Sequence, residues 1–458
     1  MALRETLERE VKLRADADFR LPELGGEPLE PRLFVSTYHD TADHRLARRG
    51  ITLRHRSENG KAFWQLKLPR GRARLELERA GGPAAPPEEL LGLLAGHLRG
   101  ESLVPVARLR TRRIGIRADG AEVVHDHVDV LEHQRVTRTF DELEVELLDG
   151  NEKTLRRLER ELRRAGAATG ETRPKLFQAL DLDFQPEREQ EPGDRTPAGV
   201  LRAHLRLNAE RLLAHDPGTR LATDEGELHQ LRVAARRLRA LLRAGRELLD
   251  PEAAEVLRAE LGWLGGALGP VRDLDVLIAH LREGVEALTA DAAAGIRLVR
   301  ALERERRKAR RALTAAMASA RYFALLDALE APIATVAERP GLREIHADAH
   351  RRLRKAAGSL GDEPSDEALH AVRLRAKRAR YAAELAGLGG YVRAAKRLQD
   401  VLGEHQDAVV AESRLRALAA ADPAAALAAG RLVEGERLRA AAARSEWKDA
   451  WKRLSKVA

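Results

Sequence analysis

The apolar residues change period once along the chain, and that change limits the fold more than any single motif. Up to about residue 184, short segments alternate in steps of two and are divided by Gly-containing turns, as β-strands are. From 197 onward, long Ala/Leu/Arg segments carry helical spacing. Between them, the stretch from Gln185 to Pro197 is polar, contains three prolines and has no apolar period, as a linker would. The 458 residues are also too many for one ordinary core. The expected architecture is an α+β domain over 1–185, a linker over 186–196 and an all-α domain over 197–458.

Charge divides at the same place. Residues 1–190 hold 34 basic and 34 acidic side chains, and 191–458 hold 47 and 38, so the whole net charge of +9 belongs to the second part. Of the 81 basic residues 69 are arginine, whose planar fork suits phosphate oxygens. The absence of cysteine excludes disulfides, thiolate metal sites and cysteine nucleophiles, and fits a reducing cytoplasm. No run of about 18 uncharged apolar residues exists, so no membrane span is expected, and the first ten residues do not read as a secretory signal.

Within the first part, the segregated strand face is ionic. Glu8, Glu10 and Lys12 alternate with apolar or outward residues, as do Arg54 with Arg56, and Glu142 with Glu144 and Glu146. Asn59-Gly60 is a hairpin signal, and a two-residue turn there pairs Arg56 with Phe63, Arg54 with Gln65 and Thr52 with Lys67. These faces are solvated on an open sheet. Turned inward in a closed barrel, they survive only with a counter-charged ligand, because unpaired buried charge is costly. Cations facing carboxylates that hold a divalent metal would suit a triphosphate chain. His125 and His127 form an alternating pair that reads as structural more readily than as a transition-metal site.

In order along the chain stand Glu8-x-Glu10-x-Lys12, Tyr38-His39-Asp40-Thr41, Arg54-His55-Arg56, Trp64-Gln65-Leu66-Lys67, Arg74 to Glu78, Arg110-x-Arg112, Asp126, Glu142 to Glu146, and Lys175. This set resembles the CYTH family, the triphosphate tunnel metalloenzymes. The resemblance implies a closed tunnel of eight antiparallel strands with flanking helices. It implies Mg2+ or Mn2+ on Glu8, Glu10, Asp126, Glu142, Glu144 and Glu146, and phosphate on Lys12, Arg54, Arg56, Lys67, Arg112 and Lys175. It identifies no general base. A strict two-residue turn at Asp119-Gly120 instead sets Arg113 opposite Asp126, leaving the register there open.

The second part repeats itself. His229-x2-Arg232-x3-Arg236-Arg237-x-Arg239 returns 141 residues later as His370-x2-Arg373-x3-Lys377-Arg378-x-Arg380. Leu264-x3-Leu268-Gly269-x3-Asp273 returns as Leu398-x3-Leu402-Gly403-x3-Asp407, and Ala203-His204 returns as Ala349-His350. Helical spacing puts His229, Arg232, Arg236 and Arg239 on one stripe, and His370, Arg373, Lys377 and Arg380 on another. A charge stripe is usually a solvated face; these lack the acidic i+4 partners of one, which suggests a polyanion site. Sparse aromatics argue against nucleic acid, whose readers stack bases.

The doubled helices resemble the CHAD domain, the conserved histidine α-helical domain. That implies two pseudo-symmetric four-helix bundles binding inorganic polyphosphate through His229, Arg232, Arg236, Arg237, Arg239, His370, Arg373, Lys377, Arg378 and Arg380. Asp273 and Asp407 read as orienting or capping residues at helix boundaries. The expected whole is a cytoplasmic protein, associated with polyphosphate granules, that hydrolyses triphosphate or short polyphosphate in its tunnel. The alternatives are a non-catalytic polyphosphate-binding scaffold, a nucleotide triphosphatase and an adenylate cyclase.

Overall fold

The computed structural model describes residues 3–15, 19–71, 73–133, 135–168, 173–182, 194–331, 333–336 and 339–458. The chain divides into two compact units, Met1–Arg188 and Glu189–Ala458. Most of the linker expected over 186–196, as far as 193, lies outside the described residues.

The first unit contains β1 (Arg4–Glu8), β2 (Glu10–Arg14), β3 (Glu27–Asp40), β4 (Thr52–Glu58), β5 (Lys61–Arg70), β6 (Ala73–Ala80), β7 (Val104–Ala118), β8 (Ala121–Glu132) and β9 (Arg135–Leu147). Helices α1 (Glu88–Leu98), α2 (Glu152–Arg164) and α3 (Lys175–Leu180) flank them. The strands form one antiparallel sheet in the order β1-β6-β5-β4-β3-β7-β8-β9-β2. Its two edge strands, β1 and β2, are separated only by Arg9, so the edges meet and the sheet closes. The Leu147 amide donates to the Arg9 carbonyl at 2.9 Å across that junction. The run from Glu8 to Lys12 is therefore not one strand: its halves pair with different partners, β6 and β9, and counting them once gives the eight-stranded tunnel.

Turn chemistry sets the registers that aim side chains inward. Asn59 and Gly60 both take positive φ, 47° and 74°, and the strands pair Arg56 with Phe63, Arg54 with Gln65 and Thr52 with Lys67. Asp119 and Gly120 repeat the geometry, with φ of 50° and 74°. On the outer face Leu13, Val123, Leu143 and Val145 pack on Leu155, Leu158 and Leu162 of α2. Burying each such side chain contributes about 1.5–3 kcal/mol, which offsets the cost of an ionic interior.

The second unit is helical: α4 (Pro197–Ala214), α5 (Asp216–Leu221), α6 (Glu225–Ala244), α7 (Pro251–Glu286), α8 (Ala292–Met317), α9 (Ala320–Glu330), α10 (Leu342–Gly358), α11 (Asp366–Leu385), α12 (Gly389–Ala421) and α13 (Ala426–Ser455). The order α4, α6, α7, α8 is repeated by α10, α11, α12, α13. Asp224 caps α6 through the Gly226 amide, and Ser365 caps α11 through that of Ala368. Leu231, Leu238 and Leu242 enter one bundle core; Leu369, Val372 and Ala376 enter the other. Ile278, Leu281 and Leu302 meet Leu415 and Leu432 in a third cluster. Among the described residues no single helix is long and apolar enough to cross a membrane.

Candidate functional site

Inside the sheet of the first unit lies a polar cavity of about 510 Å³. Its lining includes ten basic and eight acidic side chains, so its charge is close to balanced. Alternation places Glu8, Glu10, Lys12, Arg54, Arg56, Lys67, Glu144 and Glu146 on the inner face, and α3 presents Lys175 to the same space.

The lumen's charges fall into pairs. Lys67 contacts both carboxylate oxygens of Glu8 at 2.7 and 2.6 Å and Glu76 at 2.9 Å. Lys12 reaches Glu144 at 2.5 Å and Glu142 at 3.0 Å. Lys175 contacts Glu142 at 2.5 Å, Glu144 at 2.7 Å and Asp126 at 3.0 Å. Arg54 donates to Gln65 at 2.5 Å and to the Tyr38 hydroxyl at 3.0 Å, and Arg56 pairs with Glu58 at 2.6 Å over the Phe34 ring.

Titration follows from this arrangement. Burial by itself would lower Lys12, but Glu10, Glu142 and Glu144 reverse that and hold it well above the usual lysine value. Burial would raise Glu144, yet Lys12, Lys175 and Arg113 hold it well below the ordinary carboxylate range. Glu146 differs, because among the described residues it has no ion pair. Burial and then Glu8 push it up to about 7.

Two expectations about this unit change. Arg112 is exposed, and Arg113 occupies the lumen: it pairs in register with Asp126, donating to both its oxygens at 2.7 and 2.6 Å, and reaches Glu144 at 2.8 Å. The turn rule had indicated this, since a one-residue slip reverses every side chain. The six-carboxylate metal set also divides. Asp126 and Glu142 are 0% and 1% exposed, and Arg113, Lys12 and Lys175 already engage them, which makes them anchors for cations. Among the described residues no three acidic or imidazole side chains converge as a preformed metal site. Glu8, Glu10, Glu144 and Glu146 nevertheless supply hard oxygens to one lumen, and the crowding on Glu146 is of the kind a divalent cation relieves. His125 and His127 share Asp141 at 3.0 and 3.2 Å, consistent with a structural role.

In the second unit the two repeated stripes meet, α6 against α11. Burial and then Arg236, Arg373, Arg232 and Arg380 push Lys377 down to about 7. Arg236 Nε, Arg380 Nε and His370 Nδ1 are buried without a hydrogen-bond partner. His229 is lowered by burial and then by Arg272 and Arg236. The glycines of the second repeated motif make room for this face. A Cβ on Gly269 would stand 4.0 Å from Arg232 Nη2, and one on Gly403 would stand 3.4 Å from Arg373 Nη2. Arg239 lies against Gly262, 3.5 Å from the place of its Cβ.

Two residues of the repeated motif lie off the stripe, and the two aspartates sit elsewhere than expected. Arg378 turns away from Lys377 toward Arg243, Arg375 and Arg352, because it sits about 80° from His370 around α11, off the stripe. Arg237 occupies the equivalent face of α6 and lies 3.8 Å from Glu384. Asp273 and Asp407 are inside α7 and α12 rather than at helix boundaries; Asp273 orients Arg232 at 3.1 Å. Sequence reasoning passed over Glu76 and Glu384 as partners. The expectation that both stripes lack acidic i+4 partners fails at Arg380, which contacts Glu384 at 3.0 Å.

Residues 6–175 match the CYTH domain and residues 203–416 match the CHAD domain. An uncharacterized protein of Mycobacterium tuberculosis is 34% identical over 419 residues, covering 83% of this chain and 81% of its own. Among solved structures, PptA from Streptomyces chartreusis is 27% identical with a TM-score of 0.50, covering 56% of this chain and 99% of its own. The CHAD domain from the plant Ricinus communis is 25% identical with a TM-score of 0.48, covering 60% and 97%.

Proposed function

Because the chain belongs to the family that joins a CYTH domain to a CHAD domain, we propose that its tunnel hydrolyses triphosphate or short polyphosphate and that its helical unit binds inorganic polyphosphate. The observation that carries the first part is a lumen in which Lys12, Lys67, Arg113 and Lys175 are each held by carboxylates of the same lumen. An entering phosphate chain competes with Glu144 for Lys12, Arg113 and Lys175, and with Glu8 for Lys67. Arg54 and Arg56 offer further donors, held by Tyr38, Gln65 and Glu58. Asp126 and Glu142 keep Arg113, Lys12 and Lys175 in place from behind.

Carboxylates released in this way need a new counter-charge, and Glu8, Glu10, Glu144 and Glu146 would hold Mg2+ or Mn2+. Such a cation neutralises charge developing on the transferred phosphoryl. The chain's own task is to keep the phosphates extended so that water meets the terminal phosphorus in line and phosphate leaves. In the helical unit Lys377, Arg236 and Arg373 have no ion pair among the described residues, which favours a polyanion without any metal.

Phosphate release from tripolyphosphate, ATP and thiamine triphosphate, each with Mg2+ or Mn2+, tests the enzymatic half. Release is expected to be fastest from tripolyphosphate, since the lumen lining is mostly charged and matches a chain of phosphates along its whole length. Binding with no release under either metal would leave a non-catalytic scaffold and end the hydrolase reading.

A further inference from the structure

The pseudo-twofold of the helical unit is broken at one groove. Beside the central stripe, α6, α10 and α11 enclose a cavity of about 930 Å³ with a floor of small side chains such as Ala240, Ala356, Ala371 and Ala382. Arg243, Lys355, Arg375 and Arg378 line it, and among the described residues none of the four has a carboxylate within ion-pair distance. The groove's acidic residues are engaged by groups other than these four, Arg352 and Arg246 of the same lining among them. Asp348 holds Arg352 at 2.7 Å, Glu247 lies 3.5 Å from Arg246, and Glu344 accepts from the Gly341 amide at 3.1 Å. Burial and then Arg243, Arg375 and Arg352 lower Arg378, so these guanidiniums share one field.

The twofold-related face carries different chemistry. Helix α11 repeats α6 with an offset of 141 residues, and α10 repeats α4 with an offset of 146. Arg243 then corresponds to Glu384, Arg375 to Ala234, and Lys355 to Ala209; only Arg378 keeps a basic counterpart, Arg237. That counterpart is occupied, because Glu384 lies 3.8 Å from Arg237 and 3.0 Å from Arg380. The groove is thus open and cationic, whereas the repeat-equivalent positions are uncharged or neutralised by Glu384.

Continuity with the stripe follows from helix geometry. Arg243 is seven residues beyond Arg236 on α6, about 10 Å along the same side of the helix. We infer that a phosphate chain bound on the central stripe continues along α6 into this groove and leaves on that side only, so that the second unit reads chain length and binds chains asymmetrically. This rests on the proposal that the helical unit binds polyphosphate. The alanine floor leaves room for the chain, and the four cations meet its oxygens without a metal.

The full chain titrated with size-fractionated polyphosphate, one fraction short enough for the stripe and one long, tests this by calorimetry over a salt series. The double variant Arg243→Glu/Lys355→Glu should weaken the long chain roughly tenfold or more and reduce its salt slope, while the short chain stays within about twofold. Glu384→Gln, which frees Arg237 and the stripe's Arg380, should strengthen both lengths several-fold, a gain that misfolding cannot imitate and that checks the underlying polyphosphate reading. Equal losses for both lengths in the double variant would overturn the inference. So would single-stranded DNA of matched charge displacing the long chain equally well. A wild-type chain that binds neither length sinks the underlying polyphosphate reading as well. Wild-type binding that the double variant leaves unchanged sinks the groove alone.

Discussion

Glu146 in the tunnel and Lys377 in the helical unit are both displaced to about 7, one upward and one downward. In each case burial acts first and like charges follow, so the same physics produces opposite electrostatic states. The tunnel rests near neutrality, with Lys12, Lys67, Arg113 and Lys175 each held by carboxylates. On the proposed reading, a triphosphate adds more negative charge than that balance can absorb, and the lumen would take a cation along with its ligand. The stripe rests as a cluster of cations, and an anion alone relieves it. Charge that a fold cannot neutralise internally is where its ligand is read most directly.

The comparison is sharpest at Arg113 and Arg112. Arg113→Ala should slow phosphate release by about 100-fold, the scale of losing one preorganised donor, while Arg112→Ala stays near wild type. Equal effects in a phosphate-release assay would return the register to the alternative one. Asn59-Gly60 made its hairpin register legible, because the turn requires positive φ at two successive residues, whereas at Asp119-Gly120 the same rule competed with the family resemblance to Arg112 and the register stayed open. Closure at Arg9 was not legible, since the two halves of one short run find partners about 70 and 135 residues away, and long-range pairing leaves no local trace. The helical wheel already set Arg378 apart from the stripe, whereas its motif grouped the two together. The contact of Glu384 with Arg237 crosses between helices and could not be read from either one.

Lys377→Glu should break the other side of the comparison. Set among four guanidiniums, the new carboxylate should lower polyphosphate affinity about tenfold or more and raise the melting temperature, since it relieves repulsion that the native residue maintains. Arg304→Glu, an exposed change outside both stripes, serves as the control for net charge. Arg306 and Arg310 would not serve, because Arg306 pairs with Asp275 at 3.3 Å and Arg310 donates to the Thr219 carbonyl. A loss of stability in Lys377→Glu, or equal affinity losses in the two variants, would contradict an unpaired cationic site.

A smaller effect is expected from pH. Lys377 faces Arg232 and Arg236 of α6 and Arg373 and Arg380 of α11; Asp407 on α12 and Asp273 on α7 complete the surroundings. Its value in the free protein is about 7, and a bound phosphate raises it, so binding takes up a proton above that pH. Affinity should be level below about 7 and fall severalfold as pH rises from there toward 8.5. His229 is shifted downward and titrates below this window. Lys377→Arg should flatten the profile, because arginine keeps its charge throughout. A profile that is the same in both proteins would assign the proton to another group.

The most direct test of the contrast is calorimetric titration of the full chain in EDTA, first with long-chain polyphosphate and then with tripolyphosphate, repeated with Mg2+ in place of EDTA. Long-chain polyphosphate should bind in EDTA, and tripolyphosphate should bind tightly only with Mg2+. Tight tripolyphosphate binding in EDTA, or loss of long-chain binding there, would contradict the division between a lumen that needs a metal and a stripe that does not.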